Sequence, residues 1–306
     1  MSYKNVVITR SAKLTVKDQQ LVIGMGNDAD ATVPLEDIDT LMIEDRSVIL
    51  SAYLLQAAAD AGIAVYVCDD KHIPSAVMLP VSPHSRHFKM LKNQVNISRP
   101  LQKRLWQQVV VQKILNEAEC LRLAGREGAD ELSRMAREVQ SGDTGHVEGK
   151  AAAFYFTKLY YMGFTRGDDN FFNAAMNYGF AIIRGMIARS IVGYGFEPSI
   201  GLFHCSELNS FNLADDFIEP YRPLVELFVA THYFDQDEDF EGLTPDIKHE
   251  LIGIINYNMM MRGGENHIVH DCIDMQVQSY SRCVSESEDC QLLLPELIPL
   301  QVHSYE

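Results

Sequence analysis

Short alternations of apolar and polar positions fill the first eighty residues, and helical periodicity replaces them after a Ser82-Pro83 break. VVITR (6–10), KLTVK (13–17) and QLVIG (20–24) carry the β-branched alternation of half-buried strands. Asp18-Gln19 and the stretch 24–30 supply turns between strands. ATVPLEDIDTLMIED (31–45) adds one or two strands. SVILSAYLLQAAADAG (47–62) switches to strong helix formers and ends at Gly62. IAVYVCD (63–69) and SAVMLPV (75–81) read as buried strands. Beyond the break the pattern predicts helices over 84–95, 100–124, 128–140, 146–162, 171–194, 212–234, 243–262 and 266–285. Pro100 suits a first helical turn, and Gly195 with Pro198 closes the long apolar helix. The final LLLPELIPL, with its two prolines, is expected to pack as an extended tail. No internal repeat or low-complexity stretch is found.

Strands first and helices afterwards predict an α+β chain rather than an alternating parallel fold. The expected organisation is a small N-terminal β-rich domain over 1–82 and a basic linker with the first helix over 83–99. A larger all-α C-terminal domain over 100–290 and a tail over 291–306 follow. A chain of 306 residues is long for one core and comfortable for two. Its 47% hydrophobic and 22% charged residues are ordinary for a globular protein. No apolar run reaches the roughly 18 residues that span a bilayer. MSYKNVVITR lacks the apolar core of a secretory signal, so a cytoplasmic protein with no membrane partner is expected. None of the six cysteines forms a C-x-x-C pair, which disfavours a zinc ribbon; free thiols are expected in a reducing compartment.

The net charge of −16 argues against nucleic-acid binding, because phosphate contacts need cations. Its distribution changes the picture. Residues 71–116 hold Lys71, Arg86, Lys89, Lys92, Arg99, Lys103, Arg104 and Lys113 and no acid, whereas 233–306 holds fifteen acids against three bases. Such polarity can lay a basic stripe on an acidic body, or can be a solvated helix face; the sequence leaves both open.

Several motifs carry little. Gly24-Met25-Gly26 reads as a hairpin turn rather than a phosphate loop. The acids 235–239 resemble the start of a calcium loop, but Phe240 stands where such a loop turns on glycine. His267 and His270 would share a helix face, with no further ligand motif behind them. More informative is the region 146–223. Glu148 projects from a run of small residues (HVEGKAAAF), and Asp216 and Glu219 lie on one helical face in NLADDFIEPYRP. His204 follows a Gly/Pro-containing loop in IGLFHCSE. Each has a plain alternative: a first-turn acid favoured by the helix dipole, a wet acidic face, a core histidine. Together, one imidazole and two carboxylates suit Mg²⁺ or Mn²⁺, with positions left for water and phosphate oxygens.

These residues carry a family likeness. GFEPSIGLFH followed by NLADDFIEPYRP (195–223), the glutamate of HVEGKAAAF, NAAMNYGFAIIR (173–184) and CDDKHIPSAVMLP (68–80) resemble the integrase subunit of CRISPR spacer acquisition. The likeness spans nearly the whole chain, and SFNLADDFIEPYRP resembles the type II branch. It implies a β domain that dimerises and a helical domain that holds the metal through Glu148, His204 and Glu219, with Asp216 as a supporting acid. It implies phosphodiester transesterification on double-stranded DNA, the captured fragment joining the CRISPR repeat. It also implies partners: a second copy in a homodimer, the smaller CRISPR-associated adaptation subunit, other type II adaptation proteins and the RNA-guided effector nuclease. Candidate DNA contacts are Arg86, Lys89, Lys92, Arg166, Arg184 and Arg222; Arg222 could equally pair with Glu219 or Asp216. A non-catalytic scaffold and a hydrolase of small phosphoesters are the competing classes. If the basic stretch grips backbone without reading sequence, charge reversal at Arg86, Lys89 and Lys92 lowers affinity for unrelated duplexes about equally in a filter-binding series; loss confined to one sequence contradicts this.

Overall fold

The computed structural model describes residues 4–26, 29–69, 74–80, 86–161, 163–233, 242–261, 263–286 and 290–303. Lys71 and the acidic run 235–239 lie outside them. The chain divides into two compact units, one spanning Met1–His84 and the other Ser85–Ser304. No helix among the described residues is long and apolar enough to cross a membrane.

In the first unit, β1 (Lys4–Ile8), β5 (Ile38–Ile43), β7 (Ala64–Cys68) and β8 (Pro74–Met78) form one four-stranded sheet. A second contains β4 (Ala31–Pro34), β3 (Gln20–Gly24), β2 (Lys13–Lys17) and β6 (Ile49–Leu50). Asp18 and Gln19 both take positive φ, 50° and 59°, which is the twist a two-residue hairpin between β2 and β3 requires. The expected strand segment 31–45 is split by a 3-10 turn at Leu35–Asp37. The helix expected from 47 starts later, as α1 (Ala52–Asp60), because 49–50 pair with β2 and Ser51 caps the helix, accepting from the Leu54 amide at 3.2 Å. The chain returns through β2–β4 between β1 and β5 and through α1 between β5 and β7, so β5 pairs in parallel with both β1 and β7. Hydrophobic alternation encodes burial and not strand direction, which is why this parallel core was not legible. All six residues of β5 are buried, and Leu14, Leu21, Leu41, Leu54 and Val65 of both sheets and α1 share one core.

The second unit is largely helical: α2 (His87–Val95), α3 (Arg99–Leu123), α4 (Ala129–Glu138), α5 (Val147–Leu159), α6 (Phe171–Gly193), α7 (Asn212–Phe217), α8 (Arg222–His232), α9 (Pro245–Gly253) and α10 (Val269–Glu286). The segment 83–99, read from sequence as a linker, belongs from Ser85 onward to this unit: Gln94 of α2 is buried, and Asn93 donates to Ser285 of α10 at 3.3 Å. The helix expected over 212–234 is broken. Pro220 and Pro223 withhold backbone donors, and a 3-10 turn at Glu219–Tyr221 separates α7 from α8. The helices expected over 243–262 and 266–285 are interrupted by a hairpin, β9 (Asn258–Met261) with β10 (Glu265–Ile268), turning on Gly263 and Gly264 at φ 130° and 90°. The tail adds β11 (Pro295–Glu296) to β9, so the otherwise all-α unit holds a small three-stranded sheet. Against the expected free thiols, Cys283 and Cys290 form a disulfide; the returning tail brings their Cα atoms to 5.0 Å.

α3 is the axis of this unit, about 37 Å long at 1.5 Å per residue, and is packed by α4, α5, α8 and the 219–221 turn. Such enclosure leaves Lys113, Asn116 and Glu117 buried along with its apolar residues. Gly179 of α6 lets α8 approach closely: a Cβ there would lie 2.7 Å from Val225 Cγ1. Gly179→Ala should therefore cost about 1–3 kcal/mol by overpacking, read as a lower urea midpoint; an unchanged midpoint would show that the helices yield.

Candidate active site

Glu148 stands in the first turn of α5, and the backbone before it is unusual. Asp143 and His146 take positive φ, 46° and 50°, and Gly142 takes 75°. Non-glycine residues in this region cost of order 1–3 kcal/mol unless their surroundings hold them there. Here the Asp143 carboxylate does so, accepting from the amides of Val147 at 2.9 Å and Glu148 at 3.1 Å. This cap aims Glu148 at α3. Asp143 was not singled out from sequence; an acid four residues before the start of an apolar helix was the signal available.

Glu219 enters from the proline-bounded turn after α7. Its Oε1 accepts from Arg222 Nε at 2.8 Å, and its Oε2 lies 2.6 Å from Lys113 Nζ. The same ammonium pairs with Glu148 Oε1. Two carboxylates from separate elements therefore share one cation carried by α3. Burial pushes the Glu219 carboxyl up, but Arg222 and Lys113 outweigh it and bring its pKa down to about 2. Burial pulls the Lys113 ammonium down, and Glu219, Glu117 and Glu148 outweigh that and hold it above the usual lysine range. The turn is fixed from below by Asn116, whose side-chain amide donates to the carbonyls of Pro220 at 2.7 Å and Pro295 at 2.9 Å. Sequence reading counted Lys113 as one of a basic run and did not see it facing acids.

His204 is carried by the loop after α6, which three buried side chains staple down. Gln94 donates to the carbonyls of Glu197 and Ile200, both at 2.9 Å. Asn212 donates to those of Ser199 and Ser206, both at 2.9 Å. Asp216, fully buried, accepts from the amides of Leu202 at 2.5 Å, Phe203 at 3.1 Å and His204 at 3.1 Å. Gly201 is required at this crossing, since a Cβ would lie 2.4 Å from the His204 carbonyl. The remaining Asp216 contact is 2.7 Å, from His204 Nδ1 to Oδ1, which leaves Nε2 outward. That hydrogen bond raises the pKa of His204 against its partial burial. Burial raises that of Asp216, opposed by His204 and the amides. The single tryptophan, Trp106 of α3, backs the loop, stacking on Phe203 at 4.5 Å and meeting the imidazole edge-on at 5.9 Å.

With this geometry in place, comparison with known proteins decides the family. The family model "CRISPR associated protein Cas1" matches residues 6–242. The chain belongs to the Cas1 family. A CRISPR-associated endonuclease Cas1 from Neisseria meningitidis serogroup C is 43% identical over 307 residues, covering all of both chains. The fold is also that of a casposase bound to integration product, with a TM-score of 0.78 at 17% identity, covering 100% of this chain and 97% of the other. A Cas6-RT-Cas1–Cas2 complex gives a TM-score of 0.73 at 16% identity over 97% of this chain and 36% of that one.

In this Cas1 chain the residues named from sequence divide into groups. Glu148 and Glu219 converge on Lys113, and the charge of Glu219 also bears on His204. Among the described residues no group of three His, Cys, Asp or Glu is gathered tightly enough to hold a metal ion as it stands. The ammonium shared by two carboxylates nonetheless stands where a cation would go, and the donor set suits a hard divalent ion. Lys89 and Lys92 lie exposed on α2, and Arg86, also exposed, stands just before it. The other three arginines are engaged with side chains of their own unit. Arg222 takes the Glu219 pair, Arg184 Nε lies 2.6 Å from Asp215 Oδ1, and Arg166 donates to Asn177 at 2.7 Å and to Asn173. His267 and His270 do not share a helix face, because His267 is in β10.

The His204–Asp216 pair fixes a pH dependence. A pKa raised by folding gives stability that is fully present below the unfolded imidazole value and is lost as pH rises through the folded one. Denaturation midpoints of the metal-free protein should fall across that window, and NMR should place the His204 titration above the ordinary range. Asp216→Asn should bring the titration down and flatten the fall, and should cost about 1–3 kcal/mol through the amides it deprives of an acceptor.

Proposed function

We propose that this Cas1 protein is a divalent-metal-dependent DNA integrase, with Mg²⁺ or Mn²⁺ held by Glu148, His204 and Glu219. What carries the reading is the convergence of Glu148 and Glu219 on one cation position, with the stapled His204 loop alongside. In the proposed reaction the 3′-hydroxyl of a captured DNA fragment attacks a phosphodiester at the edge of the CRISPR repeat. One P–O bond forms and one breaks, the leaving 3′-oxygen takes up a proton, and no nucleoside triphosphate is consumed. A bound divalent ion would supply charge neutralisation at the non-bridging oxygens and ease deprotonation of the attacking hydroxyl.

The protein's own residues do the positioning. Asp216 holds the imidazole by Nδ1 and presents Nε2. Glu148, 31% exposed, and His204, 40% exposed, face the side from which substrate arrives, while Glu219, at 8%, forms the floor. Arg222 holds Glu219 ionised from behind. Exposed Arg86, Lys89 and Lys92 would track the phosphate backbone of double-stranded DNA. The reading extends to a homodimer working with the smaller adaptation subunit. The Cas1–Cas2 composition of one structural neighbour supports this, and the casposase neighbour held on an integration product supports the chemistry. The wording of 210–223 supports the type II branch, where further adaptation proteins and the effector nuclease would be partners.

The test is strand transfer on branched DNA resembling an integration product, with Mg²⁺ or Mn²⁺, comparing wild type with His204→Ala. Metal-dependent turnover that falls by about a hundredfold or more in the variant is expected. No turnover by either protein supports a scaffold, and turnover of small phosphoesters alone supports a hydrolase.

A further inference from the structure

Lys113 is the group in the site for which the proposed reaction has no use, and it occupies the position the reaction needs. Its Nζ lies 2.6 Å from Glu219 Oε2 and also pairs with Glu148 Oε1. Carboxylate oxygens bind Mg²⁺ or Mn²⁺ at about 2.0–2.2 Å. An ammonium and a divalent ion cannot both sit between these two acids, for want of space and because like charges repel strongly where water is scarce. The lysine is well placed to move. It rises from the middle of α3 on a flexible four-carbon stem, with its side chain 9% exposed. One helical turn further along the same face is Glu117, buried at 2% exposure, whose Oε2 accepts no hydrogen bond. Burial pushes the Glu117 carboxyl up and the Lys113 ammonium opposes this, so a lysine drawn closer favours its ionised form.

We propose that Lys113 is the resident cation of the metal-free centre, displaced toward Glu117 when a divalent ion takes Glu148 and Glu219, so that its ammonium sets the metal affinity of the site. This rests on the metal reading above. It accounts for two observations together: the acids converge on one point, yet no three-donor group is gathered among the described residues. With Glu148 and Glu219 turned to the lysine, the centre is kept folded and neutralised without metal, since an uncompensated pair of carboxylates, one buried and one half-buried, would be costly. Metal then binds by exchange rather than by filling a ready cage.

The experiment is isothermal titration of chelator-stripped full-length protein with Mn²⁺ alone, beside thermal melts with and without Mn²⁺. Lys113→Met keeps the length of the side chain and removes its charge. It should tighten Mn²⁺ binding by about tenfold. It should also lower the metal-free melting temperature, with saturating Mn²⁺ closing the gap to wild type. Lys113→Arg keeps the competing charge and should bind no more tightly than wild type. Glu117→Leu removes the receiving carboxylate and should weaken binding by about threefold; it decides the matter if Lys113→Met does not fold. Unchanged or weaker Mn²⁺ affinity in Lys113→Met, or unchanged affinity in Glu117→Leu, overturns the proposal and leaves the metal reading standing. Mn²⁺ binding that survives Glu148→Gln and Glu219→Gln unaltered overturns that reading, and the proposal with it.

Discussion

Burying opposite charges side by side is the constraint on which the helical unit is built. Lys113, Glu148, Glu219 and Arg222 come from α3, α5, the 219–221 turn and the start of α8; Lys113 and Glu219 are buried, and Glu148 and Arg222 are half-buried against them. A charge left alone in such a place costs several kcal/mol, so these elements are held to one mutual arrangement more strictly than apolar packing would hold them. Glu117 and Glu226, whose carboxyls burial pushes up, line the same interior from α3 and α8. An interior this rich in acids tolerates its own charge because α3 threads a lysine through it.

Around that centre the backbone is shaped by residues that refuse regular structure. Pro220 and Pro223 stop α7 and begin α8, and the stop turns Glu219 inward where an unbroken helix would carry it past. Gly201 allows the His204 loop to cross over Asp216. The positive φ of Asp143 and His146 is sustained by the cap that fixes Glu148. Local cost is thus concentrated in the segments that deliver the two acids and the histidine, while α3 and α6 behind them are long and regular. Asn116 and Gln94 add the cross-links, tying the Glu219 turn to the tail and the histidine loop to α2. A tail that sequence marks as extended is therefore part of the site's foundation.

The acidity of the chain, −16 overall, leaves an acid-free stretch over residues 71–116. Within it Arg86, just before α2, Lys89 and Lys92 on α2, and Arg99 and Lys103 at the start of α3 are exposed. The arginines nearest the candidate ligands serve a different purpose. Arg166, Arg184 and Arg222 neutralise or hydrogen-bond neighbouring side chains and stack on Phe180 or Phe211. Charge close to the candidate ligands thus serves the cohesion of the helical unit.

Sequence by itself determined the order of most strands and helices, most helix limits and the break between the units, and it named Glu148, His204, Asp216 and Glu219 as candidates. Those features are written in local periodicity, in glycine and proline positions and in short motifs, all of which act over a few residues. Tertiary structure decided the rest. It set the parallel pairing of β5, which depends on partners far along the chain, and the β9–β10 hairpin, where a glycine pair outweighed helical periodicity. It made Arg222 a partner of Glu219, and it turned Lys113 from one cation in a basic run into the charge between two acids. Pairing of that kind depends on distance and burial, and neither is a property of a residue's neighbours in sequence.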